Sequence, residues 1–305
     1  MKLIRLTSPV VASALALALS TAAALAAPKK VLFFSKSSGY EHSAIKRNGD
    51  APSFAEKTLT QLGASNNIEF TFSKDGTIFT PENIAKFDAF MFYTTGDLTE
   101  AGTDKNPPMT KEAKAAFLEA IHNGKGFVGV HSASDTFHSP GNRDYGAGRH
   151  ENDGDKADPY IKMLGAEFIV HGSQQKAHQI VVDKSFPGIS AVPDDFGPLE
   201  EWYSLKDFAP NLHVLLMQDT STMDHASDGN KRAYDRPNYP STFAHMYGEG
   251  RVFYSSMGHR DDVWTNPVFQ QVLLGGLNWA LHNVDADVSP NLEKVAPQAR
   301  MLPPR

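Results

Sequence analysis

Short runs in which nearly every residue is apolar alternate along this chain with stretches in which apolar residues recur every three or four positions. Lys30–Ser35 (KVLFFS), Ile68–Ser73, Phe87–Thr95 (FDAFMFYTT) and Phe127–His131 (FVGVH) are of the first kind. Such runs, bounded by Gly or polar residues, predict strands buried on both faces. Between them the pattern changes period. A helix is predicted over about Pro52–Leu62, and a second one capped by Thr110, with Ala113, Ala116, Phe117, Ala120 and Ile121 on one face. Strands alternating with helices predict an α/β domain, a parallel sheet with helices on both faces.

The middle of the chain is less regular. Short strands are predicted at Glu167–Val170, His178–Val182 and His213–Met217, and STFAHMY and RVFYSSM flank Gly248-Glu249-Gly250 as a hairpin. Two long polar stretches, Ser139–Pro159 and Asp219–Asn238, interrupt this order; loops of that length are usually functional or disordered. The last helix starts at Asn266 as N-cap and Pro267 in the first turn, and Phe269, Val272, Leu273, Gly276, Leu277 and Ala280 form its buried stripe. Beyond His282 the chain is Pro-rich and the periodicity fades, so Val284–Arg305 is predicted to be a poorly ordered tail.

The first 26 residues fit neither pattern. Lys2 and Arg5 precede the apolar run Val10–Leu19, and Ala24-Leu25-Ala26 supplies a small-x-small cleavage site, the three parts of a secretory signal peptide. The apolar run is too short for a membrane span, so the expectation is a periplasmic or secreted protein with no membrane attachment after cleavage. About 280 residues then remain, enough for one large α/β domain. The chain has no cysteine, which excludes disulfides, thiolate metal ligands and a cysteine nucleophile. The formal charge of −6 becomes more negative once Lys2 and Arg5 leave, and basic residues are not clustered, so nucleic acid is not expected as a partner. Nothing in the sequence fixes the oligomeric state.

Open parallel sheets bind ligands beyond the carboxyl ends of their strands, and the polar clusters of this chain fall there. The first strand leads to Ser37, Tyr40 and His42, the third to Thr95, the fourth to His131, Ser132 and Asp135, and RVFYSSM to His259. His131 and His259 are the strongest candidates for acid-base work or metal ligation. Gly129 and Ala133 beside His131 are too small to bury an imidazole, which predicts that it faces a cleft. The stretch G-V-H-S-A resembles the G-x-S-x-G elbow, but with the serine displaced by one residue. Ser132 is therefore expected to begin a helix and offer its backbone N–H to a developing oxyanion, rather than to attack. Glu201 beside Trp202 matches a sugar site in which the ring stacks on a pyranose and the acid binds hydroxyls; a buried Trp with a solvated Glu pair is the competing reading. A divalent metal on His131, His259, His171 and Glu201 is left open, since no local ligand spacing supports one. His122, His213 and His282 read as structural, and His138, His150 and His225 as solvated loop residues.

Five blocks, in order, resemble the ThuA-like (trehalose utilisation) family over roughly residues 29–283. They are VLFFSKSSGYEHSAI, GKGFVGVHSASDTFH, YIKMLGAEFIVHGS, EEWYSL and YGEGRVFYSSMGHRDDVWTNPVFQQVLLGGLNWAL. The resemblance implies the flavodoxin-like fold of class I glutamine amidotransferases, with His131 standing where those enzymes carry cysteine, so glutaminase chemistry is not implied. It implies a part in disaccharide catabolism, on 3-keto derivatives of trehalose, sucrose or related glycosides. The insertions Ser139–Pro159 and Asp219–Asn238 depart from the family pattern and border the expected site. Two functions follow. One is an exported enzyme that hydrolyses or eliminates a (3-keto-)glycoside, with His131, His259 and Glu201 catalytic and Ser37, Tyr40, His42, Thr95, Ser132, Asp135, His171 and Trp202 binding the sugar. The other is a carbohydrate-binding protein that kept the scaffold without the chemistry. Convergence of His42, His131 and His259 would favour the enzyme, because binding alone rarely needs several imidazoles. Export itself predicts a mature chain that starts near Ala27; N-terminal sequencing of the protein recovered outside the cytoplasm checks it, and an intact Met1 on that material would refute it.

Overall fold

The computed structural model describes residues 27–150, 156–225 and 232–304. The signal peptide expected over residues 1–26 lies outside them. Strands β1 (Lys29–Phe34), β2 (Ile68–Ser73), β3 (Ala89–Phe92) and β4 (Gly126–Val130) alternate with helices α1 (Phe54–Ser65), α2 (Pro81–Lys86) and α3 (Lys111–His122). Then come α4 (Pro159–Leu164) and the short strands β5 (Glu167–His171), β6 (Gln175–Lys176), β7 (Gln179–Val181), β8 (Leu199–Glu200) and β9 (Tyr203–Lys206). The chain closes with β10 (His213–Gln218), β11 (Tyr239–Tyr247), β12 (Gly250–Ser255), α5 (Asp261–Trp264), α6 (Pro267–Ala280) and α7 (Leu292–Val295).

The eight-stranded sheet runs β2-β1-β3-β4-β12-β11-β10-β7. Its first five strands are parallel, the 2-1-3-4-5 order of the flavodoxin-like doubly wound fold. The remaining three are antiparallel, so the sheet is mixed rather than wholly parallel. The turn at Gly248 and Glu249 sets this, because a tight hairpin between β11 and β12 can only reverse the chain. Among the described residues no helix is long and apolar enough to cross a membrane.

Alternation within β1 shows why its run is apolar throughout. Val31 and Phe33 join one core with Leu59 of α1, Trp264 of α5 and Phe269 and Leu273 of α6. Leu32 and Phe34 join the other, with Ile84 of α2, Phe117 and Ile121 of α3 and Ile161 of α4. A strand covered on both faces has no polar side to show. Thr110, Asn266 and the Ser53–Glu56 capping box start α3, α6 and α1. Outside the sheet, β5 pairs with β9, placing His171 opposite Tyr203, and β6 pairs with β8. These two small ribbons stand over the rim where β1, β3, β4 and β12 end.

The C-terminal segment is not the loose tail that its composition suggests. Asn291 bonds across to both Leu212 and Val214, Arg236 donates to the Ala299 carbonyl at 2.6 Å, and Leu292, Ala296 and Ala299 are buried in the second core. Their spacing of four and three is helical, but α7 is a single turn set among prolines, too short to register as a period. Leu292→Ala should therefore cost about 2–3 kcal/mol in urea unfolding; a disordered tail would give no change.

Candidate functional site

His131 follows β4 directly and sits at φ +45°, in the left-handed region that a β-carbon makes costly for any residue but glycine. Its neighbours hold it there. Its carbonyl accepts from the Tyr254 hydroxyl at 2.8 Å, and its Nδ1 donates to the Ser256 carbonyl at 2.9 Å, which leaves a lone pair on Nε2. This is the sharp elbow expected of the sequence, but the turn beyond it is a five-residue 3₁₀ segment, His131–Asp135, not a helix that could present amides to an anion. The space beside Gly129 is likewise taken by Leu164 and Tyr254, within about 3.0 Å of where a Cβ would lie. His131 is consequently 0% exposed, beneath the cleft rather than facing it.

Two other strand ends deliver imidazoles to the same point. His42 comes from the loop after β1 and His259 from the turn after β12. The ring centroids of His42 and His131 lie 4.9 Å apart, and His259 is 5.2 Å from each. The three rings are mutually near-perpendicular, at 86–89°. Glu201 closes the group, with one oxygen 3.2 Å from His259 Nδ1 and 3.6 Å from His131 Nε2. Its other oxygen lies 3.5 Å from His171 Nδ1, and His171 Nδ1 donates to the Gly172 carbonyl, 2.9 Å away, so that its Nε2 carries a lone pair. Buried Glu200 fixes the turn of His259 by accepting from the Gly258 and His259 amides at 2.7 and 3.1 Å.

The protonation states follow from crowding. Burial, then the neighbouring imidazoles of His131 and His259, push His42 well below the usual histidine value. Burial and His131 push His259 down to about 3, so both rings are neutral at pH 7. Burial alone would raise Glu201, but its contact with His131 and the surrounding imidazoles outweigh this and hold the carboxyl low. Burial pushes Glu200 up to about 7 in spite of its N–H donors.

Imidazoles gathered around a carboxylate form a metal-ligand set. The ligand atoms of His42, His131, Glu201 and His259 lie within 4.8 Å of one another. The buried His42 Nδ1 and His131 Nε2 have no hydrogen-bond partner, as expected of groups that await a cation. Three nitrogens and one oxygen suit zinc or a similar first-row divalent ion. Relative to the set expected from sequence, His42 enters and His171 steps back behind Glu201.

Other candidates are placed as follows. Tyr40, His42, Asp135, His171, Glu201 and His259 line a cleft of about 320 Å3 above this group. Ser37 and Thr95 do not line it; they bridge β1 to β3, and Thr95 Oγ1 holds the loop through the Tyr40 carbonyl at 2.9 Å. Ser132 is buried. Trp202 is 0% exposed, its indole N–H donating to the Gln175 carbonyl, so it stacks on no sugar. Side chains alternate along an extended chain, and Glu201 and Tyr203 point to the cleft while Trp202 points into the core. Sequence reasoning also misplaced His138 and His150 as solvated. They stack at 4.2 Å, His150 fully buried, beside the buried Glu167. His138 Nε2 reaches Asp135 at 2.8 Å.

A sequence profile of the ThuA family, described as trehalose utilisation, matches residues 30–280. No curated protein matches the chain. Among solved structures, a ThuA-like protein from Bacteroides uniformis ATCC 8492 is similar at a TM-score of 0.62 and 19% identity, over 85% of this chain and 94% of that one. A ThuA-like protein from Parabacteroides merdae ATCC 43184 is similar at 0.55 and 19%, over 91% and 98%. At these identities the likeness concerns the fold. The ligand set makes its own prediction. Zinc added to chelator-treated protein should raise the melting temperature, by the equivalent of about 2.7 kcal/mol at a hundredfold excess over Kd, and His131→Ala or His259→Ala should abolish the rise. Unaltered melting of the wild type would remove the metal from the site.

Proposed function

Because the chain belongs to the ThuA, or trehalose utilisation, family, we propose that it is an exported enzyme that cleaves the glycosidic bond of a (3-keto-)glycoside. The observation that carries this reading is the convergence of His42, His131 and His259 on Glu201 at the floor of a cleft. A protein that only bound sugar would gain little from three desolvated imidazoles, each costly to bury. Export is proposed from the leader pattern of residues 1–26 alone.

A keto group at C3 of a sugar acidifies the C2–H bond, and the site offers a base for it. His171 lines the cleft, stands outside the four-donor group and has its Nε2 lone pair free because Nδ1 is tied to Gly172. It takes the C2 proton, the C–H electrons form the enolate with its charge on the C3 oxygen, and collapse of the enolate forms the C1–C2 double bond as the C1–O bond breaks. The departing oxygen receives a proton from the Asp135–His138 pair. Although burial works against it, hydrogen bonds that His138 donates to Asp135 and Glu167 raise its pKa and keep that proton at hand. A divalent ion held by His42, His131, His259 and Glu201 would supply a Lewis acid for the keto oxygen. His131, fully buried, orients this group and touches no substrate.

The decisive assay incubates the protein with 3-keto and unoxidised disaccharides, with and without chelator, and looks for bond cleavage of the keto form. His171→Gln should lower kcat about 10²–10⁴-fold with KM little changed. Full turnover in that variant would exclude His171 as the base, and inertness of the wild type toward every keto-glycoside would favour the binding protein.

A further inference from the structure

Beside the cleft above the histidines lies a second hollow of about 300 Å3. The two share Tyr40, Asp135 and Tyr145, so they are lobes of one depression with Asp135 at the seam. Either lobe alone stands at the lower end of the range for ligand pockets, roughly 300–1,000 Å3, and together they reach its middle.

The second lobe has the marks of a built site. Arg149 is 7% exposed, its guanidinium held over the Tyr145 ring at 4.6 Å and 3.2 Å from Asp135. Its Nε has no hydrogen-bond partner among the described residues. His150 is fully buried, with Nδ1 bound to the Ser139 carbonyl at 2.9 Å and Nε2 3.9 Å from Glu167, without a hydrogen bond. Buried polar atoms of this kind are rare in a finished fold. Tyr40 and Tyr145, at 70% and 58%, are the most exposed large apolar side chains among the described residues, and both stand at the seam.

The chemistry of the lining selects the ligand. Arg143 and Arg149 share the lining with Asp97, Glu100 and Asp135. An anionic group would meet the carboxylates and a cationic one the arginines, whereas a hydroxyl both donates and accepts. We propose that the second lobe binds a neutral, hydroxyl-rich unit, joined across Asp135 to the sugar in the first lobe, and so selects polyol-bearing leaving groups over aryl or charged ones. This rests on the glycoside reading above.

Calorimetry on the full-length His171→Gln protein, which should bind without turnover, tests it with the 3-keto forms of methyl α-glucoside, α,α-trehalose and 4-nitrophenyl α-glucoside. The trehalose form should bind roughly tenfold tighter than the methyl glucoside form, about 1.4 kcal/mol, and tighter than the nitrophenyl compound. Arg149→Met and Arg143→Ala should each bring the trehalose-to-methyl ratio toward one. Arg143 is exposed, so its variant keeps the test valid if Arg149→Met does not fold. Equal binding of the trehalose and methyl glucoside forms, a preference for the nitrophenyl group, or a ratio that survives both substitutions would overturn the second lobe alone. Failure of all three to bind would overturn the glycoside reading with it.

Discussion

Three imidazoles packed at about 5 Å in a buried site cannot all carry a proton, and much of this structure depends on that constraint. At such spacing two unit charges repel by several kcal/mol even at an effective dielectric near 20. Burial and crowding hold His42 and His259 below the usual histidine value, and a ring's lone pair is aimed at the site only if something fixes which nitrogen bears the hydrogen. The Ser256 carbonyl does this for His131 and Gly172 does it for His171. Glu201 is the carboxylate that reaches His131, His171 and His259 together. The imidazoles around it hold its carboxyl low, and its charge in turn works against the burial that pushes His259 down, so removing either side would disturb the other.

The scaffold supplies this arrangement through its topology. Parallel strands end on one side of a sheet, so the loops after β1, β4 and β12 open onto the same rim although His42 and His259 are more than two hundred residues apart. The mixed half of the sheet contributes differently. It carries the ribbons β5–β9 and β6–β8 back over the rim, and these bring His171, Glu200, Glu201 and Tyr203. The carboxylates thus arrive from a part of the fold that the parallel core does not determine.

That division explains what could be read from the sequence. Strands buried on both faces, capped helices and histidines at strand ends are local patterns, and β1 to β4, α3, α6 and the placing of His42, His131 and His259 at strand ends follow from them. The orientation of Trp202 is not local, because it depends on which face of a two-residue ribbon meets the core. Nor is the burial of His138 and His150, whose loop has the composition of a solvated segment and is closed by Glu167 from β5. The left-handed residues His131, Phe137 and His150 lie in this same region; none is a glycine, and a sequence gives no sign of them.

The elbow at His131 also bears on how the protein could change over time. A left-handed residue with a Cβ stores about 1–2 kcal/mol that glycine would release. Random variation filtered only for foldedness would therefore drift toward glycine at this position, and a consensus built for thermal robustness would erase the imidazole. An engineer seeking a hardier version of the scaffold should hold that one position fixed, because heat resistance and ligand chemistry pull it in opposite directions.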